Sequence, residues 1–173
     1  MKPTLFLRWT IAGAVLLTST TLAQTGEGTP VKHCATPQHR QFDFWIGEWD
    51  VTQNDKTAGQ NSIRPILNGC ALHEEWSGTG GFKGTSLNFY DEETKRWHQT
   101  WIDSQGQSLT LEGSFSGGAM VLQTIDRPSE GPRHRITWTL LDDRSVRQLW
   151  QTQEKGSEEW KTAFDGRYTR RSS

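Results

Sequence analysis

Phe42-Asp43-Phe44-Trp45-Ile46-Gly47-Glu48-Trp49-Asp50-Val51 is the segment that most limits what this chain can become. Read with period two, Trp45, Gly47, Trp49 and Val51 fall on one face, the pattern of a strand with one buried side. The glycine between two tryptophans has no Cβ, so a backbone or a large side chain can come close to it. Trp49 is then placed to plug one end of a barrel. The segment constrains the fold and points to an internal ligand without saying which.

Alternation with period two continues through almost everything that follows. It predicts about ten strands, at 45–52, 62–67, 71–77, 84–90, 97–103, 108–115, 119–125, 134–141, 146–153 and 160–170. Asn68-Gly69, Gln105-Gly106, Gly117-Gly118 and Asp142-Asp143 mark turns, and 126–132 reads as a long polar loop. Pro65 makes the second segment a short edge or bulged strand. No amphipathic helix separates the strands. Residues 38–45 form at most a short helical turn that packs Phe42 and Phe44 on the barrel mouth. The expected fold is all-β: a single antiparallel up-and-down barrel of about ten strands, which closure leaves without edges. A two-sheet sandwich is the competing architecture.

The N-terminus reads as an export signal. Lys2 and Arg8 precede an apolar stretch from Trp9 to Leu17, and Thr21-Leu22-Ala23 has the small residues of a cleavage site. The apolar stretch falls short of the ~20 residues that span a bilayer, which weighs against a membrane anchor. Cleavage after Ala23 assigns 1–23 to the signal, 24–37 to a polar tether and 38–171 to the barrel domain. The mature chain has 150 residues (173 minus 23), one domain's worth. Loss of Lys2 and Arg8 leaves 17 basic against 20 acidic residues, so bulk charge attracts neither nucleic acid nor an anionic membrane. The protein is expected in the periplasm or secreted, with its oligomeric state open. Two cysteines in an oxidising compartment, Cys34 and Cys70, read as one disulfide; a free thiol pair or a metal site is the alternative.

The stretch from Phe42 to Val51, together with Asn68-Gly69-Cys70-Ala71-Leu72-His73-Glu74-Glu75-Trp76, resembles the signature of a family of small exported bacterial proteins of unknown function. The similarity runs through most of the mature chain to Phe164-Asp165-Gly166-Arg167-Tyr168-Thr169-Arg170. A more distant likeness is to lipocalins and other calycins. In those, a Gly-x-Trp on the first strand meets an arginine of the last strand stacked over the tryptophan. Gly47 and Trp49 with Arg170 look like that arrangement and carry its structural role. The resemblance implies a calycin-like barrel and transfers no activity.

Tryptophan is the compositional outlier, with eight of nine in the mature chain. Inside a ten-stranded barrel, wider than side chains comfortably fill, inward tryptophans either form the core or wall a cavity. Polar residues share their faces. Leu72, Glu74 and Trp76 alternate on one segment, Trp97, Gln99, Trp101 and Asp103 on another, Gln148 and Trp150 on a third, Phe164 and Tyr168 on the last. The expected ligand-binding set is Trp49, Glu74, Trp76, Gln99, Trp101, Trp138, Gln148, Trp150 and Tyr168. Glu74 is the candidate catalytic group, since a carboxylate in an apolar interior has a raised pKa unless paired. The plainer reading pairs it with Arg64 or Arg147.

Of the histidines, His33 and His39 are expected exposed and His73 and His98 outward. No His-x-His or His-x-x-x-His occurs, so no metal is expected. A related barrel holds haem on a histidine near the chain end, and none follows His134 here, so no cofactor is expected. Gly-x-Ser-x-Gly and a phosphate-binding loop are both missing; Gly78-Thr79-Gly80-Gly81 reads as a hairpin turn. The leading expectation is an exported barrel that binds a small, partly apolar or aromatic ligand inside. The alternatives are an acid–base enzyme (isomerase, cyclase or hydrolase) using Glu74, and a structural or interaction module with a packed core.

Overall fold

A computed structural model describes residues 33–125 and 131–172. The expected signal segment and most of the expected tether lie outside the described residues, as does most of the 126–132 loop. Among the described residues ten antiparallel strands close into one barrel, each paired with its neighbours in sequence and the last with the first. They are β1 (Gly47–Gln53), β2 (Lys56–Ile66), β3 (Ala71–Gly78), β4 (Lys83–Asp91) and β5 (Arg96–Asp103). The second half comprises β6 (Ser108–Ser116), β7 (Ala119–Thr124), β8 (Arg133–Leu140), β9 (Val146–Gln153) and β10 (Lys161–Arg170). The expected all-β up-and-down barrel is the observed one, and the two-sheet sandwich is not.

Three local expectations change. Trp45 is not on β1 but in a 3-10 turn, Asp43–Trp45, that follows a first one at Pro37–Arg40. The second strand is long, not short: it begins at Lys56, right after Asn54 and Asp55, which both have positive φ (50° and 59°). That is the backbone of a tight primed hairpin, built here without the glycine that usually announces it. Pro65 lies beyond Ile63, the last β2 residue paired with β1, so it occupies a stretch that pairs with β3 alone and tolerates a residue without N–H.

The barrel closes where β1 meets β10. Trp49 pairs with Arg170, whose guanidinium carbon stands 4.5 Å over the indole. Gly47 has φ +151°, and a Cβ there would sit 2.4 Å from Arg170 Nη1, so the guanidinium occupies the space that a side chain would need. Trp49 Nε1 donates to the Trp45 carbonyl at 2.9 Å, which ties the turn before β1 into the barrel.

The two 3-10 turns plug the end of the barrel where β1 begins. Phe42 and Trp45 are fully buried and stack at 4.9 Å, and Phe42 meets Trp97 and Trp138 edge-on. Below them Val51, Ile63, Leu72, Leu111, Met120, Leu122 and Val146 complete a packed apolar half. His39, expected exposed, is buried in this plug: its ring stands edge-on to Tyr90 at 5.2 Å and Nδ1 lies 2.8 Å from Thr36 Oγ1. The disulfide joins Cys34 to Cys70 across 36 residues, and Arg40 donates to the carbonyls of Cys34 and Gly69. The plug is thus fixed covalently and by hydrogen bonds to the turn that leads into β3.

Replacing both cysteines by serine is expected to lower the unfolding free energy by about 3–4 kcal/mol on the loop-closure model. Phe42→Ala is expected to cost about 3–5 kcal/mol, the usual loss for a fully buried ring. Urea unfolding followed by tryptophan fluorescence measures both, and a loss below about 1 kcal/mol for each would mean that the plug does not hold the barrel.

Candidate functional site

The opposite end of the barrel is hollow. A cavity of about 260 Å³ is lined by β3, the turn after it, β5, β6, β8, β9 and β10. Its upper wall is aromatic: Trp76, Phe82, Trp101, Trp150 and Phe164. Its floor is polar: Glu74, Gln99, Gln148 and Tyr168. Alternation puts them there. Each tryptophan follows a polar residue two places earlier or later on the same inward face, so one strand supplies both a wall ring and a floor group.

The rings are seated by small residues across the sheet. A Cβ on Gly84 would fall 2.0 Å from Trp101 Cζ2 and 2.1 Å from Cη2, so the Trp101 six-membered ring lies directly over Gly84 and turns its other face inward. Trp150 Nε1 donates to His134 Nδ1 at 3.0 Å. Burial lowers the His134 pKa, which favours the neutral ring that such an acceptor requires. Trp76 and Phe164 meet edge-on at 6.2 Å across the mouth. The register of β10 against β9 slips between Thr162 and Phe164, leaving Ala163 as a bulge that lines the cavity.

The floor is one hydrogen-bonded network centred on Glu74. Asn61 Nδ2 donates to Glu74 Oε1 at 2.7 Å, and the Ser86 hydroxyl donates to Oε2 at 2.5 Å. Asn88 Nδ2 donates to Ser86 Oγ at 2.8 Å, and Gln99 Nε2 to Asn88 Oδ1 at 2.9 Å. On the other side the Tyr168 hydroxyl donates to Gln148 Oε1, and Asn61 Nδ2 lies 3.5 Å from Tyr168 Oη. Burial raises the Glu74 pKa, opposed by the hydrogen bonds from Ser86 and Asn61. Burial, and then the neighbouring Glu74 charge, pushes the Tyr168 hydroxyl well above its ordinary value.

Of the nine residues expected around a ligand, seven meet in this cavity: Glu74, Trp76, Gln99, Trp101, Gln148, Trp150 and Tyr168. Trp49 and Trp138 do not line it. Both are fully buried in the plugged half, Trp49 under Arg170 and Trp138 against Phe42 and Trp45. Period two assigns an inward face but not a depth along the barrel. Arg64 and Arg147 do not pair with Glu74; Arg64 meets Glu75 and Arg147 meets Asp165 on the outside. Asp103 is not a floor group but caps the β5–β6 hairpin, accepting from the Gln105 and Gln107 amides. Asn61, Ser86 and Asn88 escaped the sequence reading. They alternate on β2 and β4, but no tryptophan on either strand marks that face as inward.

A hollow ten-stranded barrel with a plugged base and a polar-floored cavity is a calycin-like fold. The chain belongs to the family described as "Protein of unknown function (DUF1579)", whose model matches residues 34–170. No curated protein matches it.

Glu74 has a folded-state pKa above its unfolded one, so the folded protein holds a proton that the unfolded chain releases. Its contribution to stability therefore falls as pH rises from the ordinary glutamate range to the folded-state pKa. Glu74→Gln is expected to abolish this part of the pH dependence, so the variant gains stability relative to the native protein as pH rises. Urea midpoints for both proteins from about pH 4 to 8 measure it. Parallel curves would mean that Glu74 is ionised in the folded state throughout.

Proposed function

We propose that this protein is an exported binding protein that takes up a small, partly apolar or aromatic molecule through the open end of its barrel. The observation that carries the reading is the hollow half itself. A barrel stabilised by burial has no reason to leave about 260 Å³ unfilled beneath five aromatic rings unless something else fills it. That volume lies just under the ~300–1,000 Å³ of drug-sized sites, which suits a compound of one or two rings. Trp76, Trp101 and Trp150 supply contact area, while Glu74, Gln99, Gln148 and Tyr168 orient a polar group. The disulfide supports export, because such bonds persist in oxidising compartments. A purely structural barrel with a packed core is at odds with the cavity.

The raised Glu74 pKa favours a second reading, in which the carboxyl acts as a general acid or base on a molecule held in the same cavity. Turnover whose pH–rate profile disappears in Glu74→Gln distinguishes an enzyme from a carrier.

The first measurement is native beside denaturing mass spectrometry of protein purified from the exporting cell. An added mass that is lost on denaturation is expected. Trp101→Ala is expected to weaken binding of that molecule at least tenfold, about 1.4 kcal/mol, with the fold retained. Unchanged affinity would place the ligand outside the cavity.

A further inference from the structure

We infer that the cavity is built for an organic cation: an ammonium group carried on an aromatic or apolar body, with the charge set against the Glu74 carboxylate. This rests on the cavity being a binding site, as proposed above, and adds the charge of what binds there. Two features of the cavity carry it. First, among the described residues its lining contains no lysine, arginine or histidine; the ionisable groups among those lining residues are Glu74 and Tyr168, both acids. An anionic ligand would find no counter-charge there, and burying an unpaired anion is costly. Second, the walls are aromatic rings. Trp101 lies flat on Gly84 with its free face inward, and Trp150 has its indole N–H engaged by His134 at the barrel wall. Indole faces attract a cation, most strongly where water is excluded.

The floor suits the same guest. Asn61 and Ser86 donate to the two Glu74 oxygens, so the donors around Glu74 are set for the ionised form and oppose the cost of its burial. Burial raises the Glu74 pKa and so shifts the protein without a guest toward the neutral acid. An ammonium beside the carboxyl would reverse that preference and release the proton to solvent. The groups facing Glu74 are Asn61 from β2, Ser86 from β4 and Tyr168 from β10, with Gln99 from β5 behind Ser86. Tyr168 alone among these can titrate, and its pKa lies far above neutrality. Binding of an amine is therefore expected to strengthen as pH rises from the ordinary glutamate range toward the folded-state pKa of Glu74, with the amine itself protonated throughout.

The test uses three probes of one shape: 2-(1-naphthyl)ethylamine, 2-(1-naphthyl)ethanol and 1-naphthylacetate, titrated calorimetrically into the intact mature protein. The amine is expected to bind at least tenfold more tightly than the alcohol, and the acetate not measurably. In Glu74→Gln the amine is expected to lose that advantage and to bind about as tightly as the alcohol does to the same variant. Equal binding of amine and alcohol by the native protein, or tighter binding of the acetate, would overturn the charge assignment and leave the cavity reading standing. Binding of none of the three would remove both. Should Glu74→Gln fail to fold, the three probes on the native protein decide alone: an amine that binds no more tightly than the alcohol overturns the proposal.

Discussion

Closure of the sheet between β1 and β10 is the contact on which the rest of the molecule depends. A ten-stranded antiparallel sheet left open would expose two edges and half its inward face to water. The joint is made at Gly47, Trp49 and Arg170. The arginine stacks over the indole and fills the space above a residue without a side chain, while Trp49 binds the carbonyl of Trp45. One small cluster thereby couples three things: the ends of the sheet, the base of the barrel, and the entry of the chain into its first strand.

Circumference then sets the problem that the interior has to solve. Ten strands enclose more space than their own inward side chains fill. The protein fills one half with an inserted segment. Phe42 and Trp45 come from outside the sheet and are held there by the disulfide, by Arg40 and by the buried His39. It leaves the other half open and lines it with rings. The boundary between the two halves is the polar layer around Glu74. A buried carboxyl with amide and hydroxyl partners costs stability in comparison with an apolar layer. Its retention between a filled half and a hollow one makes sense if the hollow half receives a guest with a polar group.

The fold was largely legible in the sequence because its signals are local. Alternation at Leu72-Glu74-Trp76, Trp97-Gln99-Trp101 and Gln148-Trp150 marks both strand and inward face, and seven of nine expected ligand-binding residues meet in one cavity. Errors fell where the local signal was weak or non-local partners decided. Asn54-Asp55 forms a tight turn without glycine, so β2 read as short. His39 lies in a polar stretch and is buried only because the plug folds back onto Tyr90. Glu74 took its partners from Asn61 and Ser86 on the adjacent strands rather than from an arginine.

By itself, then, the sequence determined most of the strands and the inward faces that tryptophan marks, and it offered the disulfide between Cys34 and Cys70. The joint between the first and last strands was implied by the calycin resemblance of Gly47, Trp49 and Arg170. The strands and faces follow from side-chain period and turn chemistry. Depth along the barrel was decided only in three dimensions. Trp49, Trp101 and Trp138 are alike in period and composition, yet Trp49 and Trp138 are packed core and Trp101 is cavity wall. What separates them is which end of the barrel the N-terminal turns enter. That is a long-range packing choice, fixed where Phe42 and Trp45 find the rings of strands far away in the chain.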